Sequence, residues 1–230
     1  MALSEADAER LRSTHLLKNV SDASHETLRK SASIQNFPAR TIVFKEGDPA
    51  TALYTPIQGS VELFNENHVR RFTIAVICPL KPFMLTSIAV DRNILSARTL
   101  QKSQLVLVPL NVIQHLFGTD PAFARAVACE LAGEFRNTIE DFKNHRLKSA
   151  LERLAEWMMR SDQDAGGTGQ FVIPYDKRTL ASYLGMAPEN LSRSLVSLAA
   201  VGVSVQGRHV SLNDRAALAA VARMEIAPSW

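Results

Sequence analysis

The 230-residue sequence predicts an α+β chain in three stretches: many short strands, one long helix, and a helical unit closed by a small hairpin. Two observations carry this. Between Ile34 and about Pro109, short β-rich runs alternate with turn residues, the texture of a β-sandwich or barrel. After Asp120-Pro121 the apolar period changes, with Phe123, Val127, Leu131, Phe135, Ile139 and Phe142 recurring three and four residues apart.

The elements follow in order. Ser4–Leu17 reads as a short amphipathic helix capped by Ser4, and Ser24–Ser33 as a second. Strands are expected at Thr41–Phe44, Leu53–Ile57, Val61–Phe64, Phe72–Ile77, Ser96–Leu100 and Leu105–Val108. They are punctuated by Gly47-Asp48-Pro49, Gly59-Ser60, Glu66-Asn67 and Asp91-Arg92-Asn93. Asn111–Phe117 forms a turn or two of helix. The long helix runs from Pro121 to about Asn144, and Leu147–Arg160 continues as another, with Leu151, Leu154, Trp157 and Met158 as its stripe. A hinge is expected near Asn144–Lys148. Asp162–Gly169 is a flexible loop.

Composition removes several classes. The chain is 46% hydrophobic and 21% charged, so disorder and low-complexity states are excluded. Apolar stretches such as Ile74–Pro79 and Leu105–Leu110 are far shorter than a membrane span, and the charged N-terminus has no apolar run behind it. A cytoplasmic protein with no membrane partner is expected. Two cysteines, Cys78 and Cys129, exclude a disulfide framework and an all-cysteine iron–sulfur cluster. Both lie in apolar stretches, where a buried, inert thiol is the expectation, with a redox response as the alternative. His25, His68, His115, His145 and His209 lack metal-ligand spacing, and no nucleophile elbow, phosphate loop or zinc-protease pattern occurs, so neither a metal site nor an enzyme is expected. A net charge of +3 neither demands nor forbids nucleic acid.

Lys177–Ala200 is the most informative stretch. Leu180, Ala181 and Leu184 give a first helix an apolar face, Gly185 allows a tight turn, Met186 plugs the core, and Pro188 suits the first position of a second helix. There Leu191, Leu195 and Leu198 form the buried stripe, leaving Glu189, Ser192 and Arg193 on the other face. A helix-turn-helix offers those positions to base edges in the major groove. Glu accepts from cytosine, Arg pairs with guanine, and Ser contacts several bases. By itself the pattern also fits an amphipathic helical hairpin with a solvated face. Val203–Val205, Gly207-Arg208 and His209–Leu212 favour the first reading, because they add a two-stranded wing.

From about Leu11 to Ala219 the chain resembles the CRP/FNR superfamily of bacterial transcription regulators. The motifs are Phe44-Lys45-Glu46-Gly47-Asp48-Pro49-Ala50, Leu53-Tyr54, Gly59-Ser60-Val61-Glu62-Leu63-Phe64, the long helix, and Glu189-x-x-Ser192-Arg193, which matches the FNR/DNR-like branch. The resemblance implies an N-terminal double-stranded β-helix (β-roll, cyclic-nucleotide-binding-like) sensor domain over 1–117, a dimerisation helix over 118–146, and a winged helix-turn-helix over 147–230. It implies a homodimer joined through Leu131, Phe135 and Ile139, RNA polymerase as partner, and palindromic double-stranded DNA with TTGA-like half-sites. Arg193 would meet the guanine, Glu189 the cytosine opposite and Ser192 a thymine, with Lys177, Arg178 and Arg208 completing the DNA-binding set. Ala187 departs from the family, which usually has a capping Ser or Thr there; its loss costs about 1 kcal/mol.

Cyclic-AMP regulators of this family carry Gly-Glu and then Arg-Ser to hold the ribose and the cyclic phosphate. Here Leu85-Thr86 and Leu95-Ser96 stand in their places, and Arg92 and Arg98 fall at the wrong spacing. A buried phosphate would lack a cation, so cyclic AMP is not the expected effector. The pocket residues Phe83, Met84, Leu85, Thr86, Ile88 and Ser96 are left for an apolar ligand or haem. His15 and Met84 are the candidate haem ligands, against the plainer readings of a surface histidine and a core filler. The rival function is a ligand-binding signalling module acting on a protein partner. It explains the roll and leaves Glu189, Ser192 and Arg193 without a task.

Overall fold

The computed structural model describes residues 3–66 and 71–223, and the chain divides into two compact units, 1–138 and 139–230. Among the described residues no helix is long and apolar enough to cross a membrane.

The first unit opens with α1 (Glu5–Arg12) and α2 (Asp22–Ser31), whose starts are capped by the hydroxyls of Ser4 and Ser21. Helix α1 is shorter than the sequence suggests. The Thr14 hydroxyl donates to the Leu11 carbonyl, and the chain leaves the helix in turns that still bury Leu16 and Val20. Seven strands follow: β1 (Ser33–Phe37), β2 (Ile42–Phe44), β3 (Ala52–Gln58), β4 (Val61–Glu66), β5 (Arg71–Ile77), β6 (Ser96–Thr99) and β7 (Ser103–Pro109). All ladders are antiparallel, in one sheet ordered β1-β7-β3 and another ordered β2-β6-β4-β5. Strand β1 is not among the sequence expectations, and the expected Glu66-Asn67 turn reaches into residues outside those described. Apolar residues of the two sheets, Phe44, Tyr54, Val61, Leu63, Phe83 and Leu105 among them, make the core of the roll. A second core packs Leu16, Leu28, Ile113, Phe123 and Val127 from the turns and helices against Leu53.

Helix α3 (Leu110–Thr119) leads into α4 (Pro121–Leu147). Between them Asp120 accepts hydrogen bonds from the backbone N–H groups of Ala122 and Phe123 and from the hydroxyls of Ser21 and Ser24. These bonds, led by that from Ser24, hold its carboxyl well below the usual carboxylate range.

The second unit contains α5 (Ala150–Asp164), α6 (Lys177–Tyr183), α7 (Pro188–Ala199) and α8 (Arg215–Ala222), with strands β8 (Gln170–Val172), β9 (Val203–Gln206) and β10 (His209–Leu212). Ser149 and Glu152 form a reciprocal capping box at the start of α5. That helix runs three residues into the stretch expected as loop, because Asp162 is fully buried and its carboxylate accepts from Gly169 N–H at 2.7 Å. The wing is also larger than expected: β8 adds to it, in the order β8-β10-β9.

Candidate nucleic-acid interface

The helix-turn-helix is built by burying one face of each helix. Leu180 and Ala181 of α6 and Leu191 and Leu198 of α7 are all buried. The turn between them needs Gly185, whose φ is +62°. A Cβ there would lie 2.6 Å from Cε1 of His145, so the imidazole packs directly on the glycine. Arg153 of α5 fixes the same turn by donating from Nε to the Leu184 carbonyl at 3.0 Å. Burial, and then the nearby Arg153 guanidinium, lower the pKa of His145 and favour the neutral ring against the turn.

With Leu191 and Leu198 turned inward, Glu189, Ser192 and Arg193 are exposed on the opposite side of α7. Glu189 has no partner among the described residues. Arg193 is steadied by a hydrogen bond to Asn190 Oδ1, and the Ser192 hydroxyl donates to the Pro188 carbonyl at 3.1 Å. One residue escaped the sequence reading: Val196, 76% exposed and seven positions after Glu189, extends this face. Leu195, expected in the buried stripe, is only half-buried, yet the spacing still sets Val196 on the outer side, where an apolar side chain can meet a thymine methyl. Ala187 supplies no side-chain cap, so the first turn of α7 rests on Pro188. Lys177 and Arg178 lie exposed in the first turn of α6, and Arg208 sits at the turn between β9 and β10, with Nε donating to the Ile173 carbonyl.

Comparison with known proteins agrees with this geometry. Residues 34–120 match the family model described as "Cyclic nucleotide-binding domain", and residues 152–221 match "Crp-like helix-turn-helix domain". The "Anaerobic regulatory protein" of Pasteurella multocida is 25% identical over 187 residues, 77% of this chain and 67% of that protein. The "Transcriptional activator protein anr" of Pseudomonas aeruginosa is 22% identical over 190 residues, 78% and 76% of the two chains. Among solved structures, FixK2 from Bradyrhizobium japonicum shares the fold with a TM-score of 0.77 and 24% identity, covering 86% of this chain and 99% of that one. The chain belongs to the CRP/FNR family. It is a DNA-binding transcription regulator of that type.

In this CRP/FNR regulator the described residues of the roll form no polar kit for a cyclic phosphate. The Phe44, Tyr54 and Phe83 rings pack together inside it, with centroids 5.1–6.2 Å apart. Leu85 is buried in the other core, beside Ile88. The six expected pocket residues therefore do not share one cavity wall: Phe83 and Met84 face the roll core, Leu85 and Ile88 the helical one, and the Ser96 hydroxyl accepts from Glu46 N–H. Both nearby guanidiniums are engaged. Arg98 pairs with the buried Glu62, which also accepts from Thr73 at 2.6 Å, and Arg92 donates to the Gly47 carbonyl. The donor set for haem does not fit either. His15 is exposed with Nδ1 3.3 Å from Glu130, whereas Met84 is buried among the aromatic rings. Cys78 and Cys129 are both exposed, against the expectation of buried thiols. The inward positions beside them belong to Ile77 and Val127.

The apolar stripe of α4 divides. Phe123 and Val127 are buried, Leu131 is half-buried, and Phe135 (69%), Ile139 and Phe142 are exposed. The interruption between α4 and α5 falls at Lys148-Ser149, at the end of the expected hinge stretch. Within the second unit Lys148 donates to Glu156 at 2.7 Å and to the Ala222 carbonyl, and Asn144 and Arg160 donate to the same Glu156 carboxylate. Among the described residues no cluster of three His, Cys, Asp or Glu is placed to hold a metal.

Proposed function

We propose that this regulator binds, as a homodimer, a two-fold palindrome with TTGA-like half-sites, with Arg193 on the guanine, Glu189 on the opposing cytosine and Ser192 on a thymine. The observation that carries the reading is the exposed face of α7, where these three side chains stand opposite the buried Leu191 and Leu198. Val196 on the same face meets a thymine methyl, while Lys177, Arg178 and Arg208 contact phosphates. The second copy covers Phe135, Ile139 and Phe142, since an apolar row of that length is otherwise left to water. The chain then divides in function into a roll over 1–117, a dimerisation helix over 118–146 and a DNA-binding unit over 147–230, acting in the cytoplasm with RNA polymerase and without catalysis. Its effector is not cyclic AMP, because the roll interior is aromatic and its neighbouring arginines are already paired.

Selection of bound sequences from random duplexes tests the reading, with an enriched TTGA-containing palindrome as the expected result. A palindrome without TTGA rejects the residue assignments, and no enrichment favours the signalling module. Phe135→Ala separates the assembly claim. Burial between two copies makes the truncation worth about 3–5 kcal/mol, so sedimentation should find monomer at low micromolar concentration.

A further inference from the structure

The β1-β7-β3 sheet has a second face. Because side chains alternate along a strand, Tyr54 and Leu105 enter the roll while Leu53, Val106 and Val108 point the other way, towards α1 and α2. Between those helices and the sheet lies a cavity of about 500 Å³. Its floor is aliphatic and aromatic, with Leu11, Leu28, Val106, Ile113 and Phe123 all buried. Well-packed interiors leave few voids larger than a water molecule, and roughly 300–1,000 Å³ is the size of a small-molecule site. The roof is held from both sides: Arg10 of α1 donates to the Ile57 carbonyl of β3, and Arg12 pairs with Asp22 of α2.

The polar groups at this cavity select a head group. His25 lines it, and its Nε2 lies 2.8 Å from the Leu17 carbonyl, which can only accept; Nε2 therefore donates that bond, and in the neutral ring Nδ1 is the nitrogen left to accept one from a ligand. At the rim, Asp22 is paired with Arg12, and Glu26 with Arg29 and Lys30. Glu5 and Glu9 of α1 also line the cavity and have no ion-pair partner among the described residues. The excess charge at the mouth is negative.

We propose that this cavity is a binding site for a medium-length alkyl chain carrying a hydrogen-bond-donating, uncharged or cationic head, an alkyl alcohol or amine rather than a carboxylate. Its occupant packs on Phe123, in the first turn of α4. The site lies on the opposite sheet face from the roll interior, and the proposal does not depend on the DNA half-site assigned above.

The test uses the full chain and three probes of one length, decylamine, decanol and decanoate, each competing with the fluorophore N-phenyl-1-naphthylamine below its micellar concentration. Decylamine and decanol should displace it at least 10-fold more tightly than decanoate. Ala32→Phe, which fills the cavity from the end of α2, should weaken all three at least 10-fold. The double variant Glu5→Lys, Glu9→Lys changes only exposed side chains and should bring decanoate level with decylamine or ahead of it. Equal binding of the three probes by the parent chain, or an unchanged order in the charge-reversed variant, overturns the proposal. So does unchanged affinity in a folded Ala32→Phe chain. If Ala32→Phe does not fold, the charge-reversed pair decides alone.

Discussion

The roll interior and the outer face of α7 are built in opposite ways. In the roll, Phe44, Tyr54 and Phe83 fill the space, with Met84, Val61 and Leu105 packed around them. Any change of preference there must pass through close-packed core. On α7 the underside is finished by Leu191 and Leu198, so Glu189, Ser192, Arg193 and Val196 support nothing beneath them. Base preference can change on α7 while the fold stays intact, whereas ligand preference in the roll is tied to stability.

That contrast can be broken by experiment. Arg193→Ala should lose up to about 6 kcal/mol on the palindrome, two contacts of about 1–3 kcal/mol each, with random-duplex affinity and unfolding midpoint nearly unchanged. Fluorescence anisotropy at one fixed salt concentration measures both affinities, and an equal loss on every sequence would make Arg193 a phosphate contact. Phe83→Ala should do the reverse, costing about 3–5 kcal/mol of folding stability in urea unfolding while a folded fraction keeps its base preference. Gly185→Ala lies between the two. It forces a side chain into a left-handed position against His145, a cost of about 1–3 kcal/mol, and it should weaken DNA binding by tilting α7. An unchanged stability would mean that the imidazole swings away.

The smallest expected effect concerns acid. Asp120 is held ionised by its hydrogen bonds, so its folded pKa lies below the unfolded value of about 3.9. Its contribution is complete above that value and is lost as pH falls towards the folded one. Asp120→Ala should cost about 1 kcal/mol as a lost cap and flatten the acid limb of stability below about pH 4. A full-strength acid limb in the variant would move the responsibility to another carboxylate.

Much of this architecture is legible in the sequence, and what is not has physical causes. Strands β3 and β4 are announced by apolar runs set off by Gly59-Ser60, a local signal. Strand β1 reads Ser-Ile-Gln-Asn-Phe and becomes a strand only because β7 lies beside it, a tertiary effect without a local trace. The same holds for β8, three residues long and recruited by β10. Spacing identified the stripe of α4, yet could not say that Phe123 faces a core and Phe135 does not, because both obey one period. Apolar neighbours suggest hidden thiols at Cys78 and Cys129, but Ile77, next to Cys78, and Val127, two positions before Cys129, take the inward places. Val196 does not stand out in the sequence because Leu191, Leu195 and Leu198 already account for the apolar period of its helix.

The pairing of β1 with β7 sets a timetable for the nascent chain. Ser33 meets Leu107, and Phe37 meets Ser103. At a synthesis rate of roughly 5–20 residues per second, the first strand waits about 4–15 s for its partner to be made. Through that interval an unpaired edge and the apolar surface meant for α1 and α2 are open to other chains. The β9–β10 hairpin has no such delay, since its strands are joined by Gly207-Arg208 and can pair as soon as both emerge. Aggregation during overproduction should therefore originate in the first hundred residues, and slower translation would lengthen the exposure of that segment rather than relieve it.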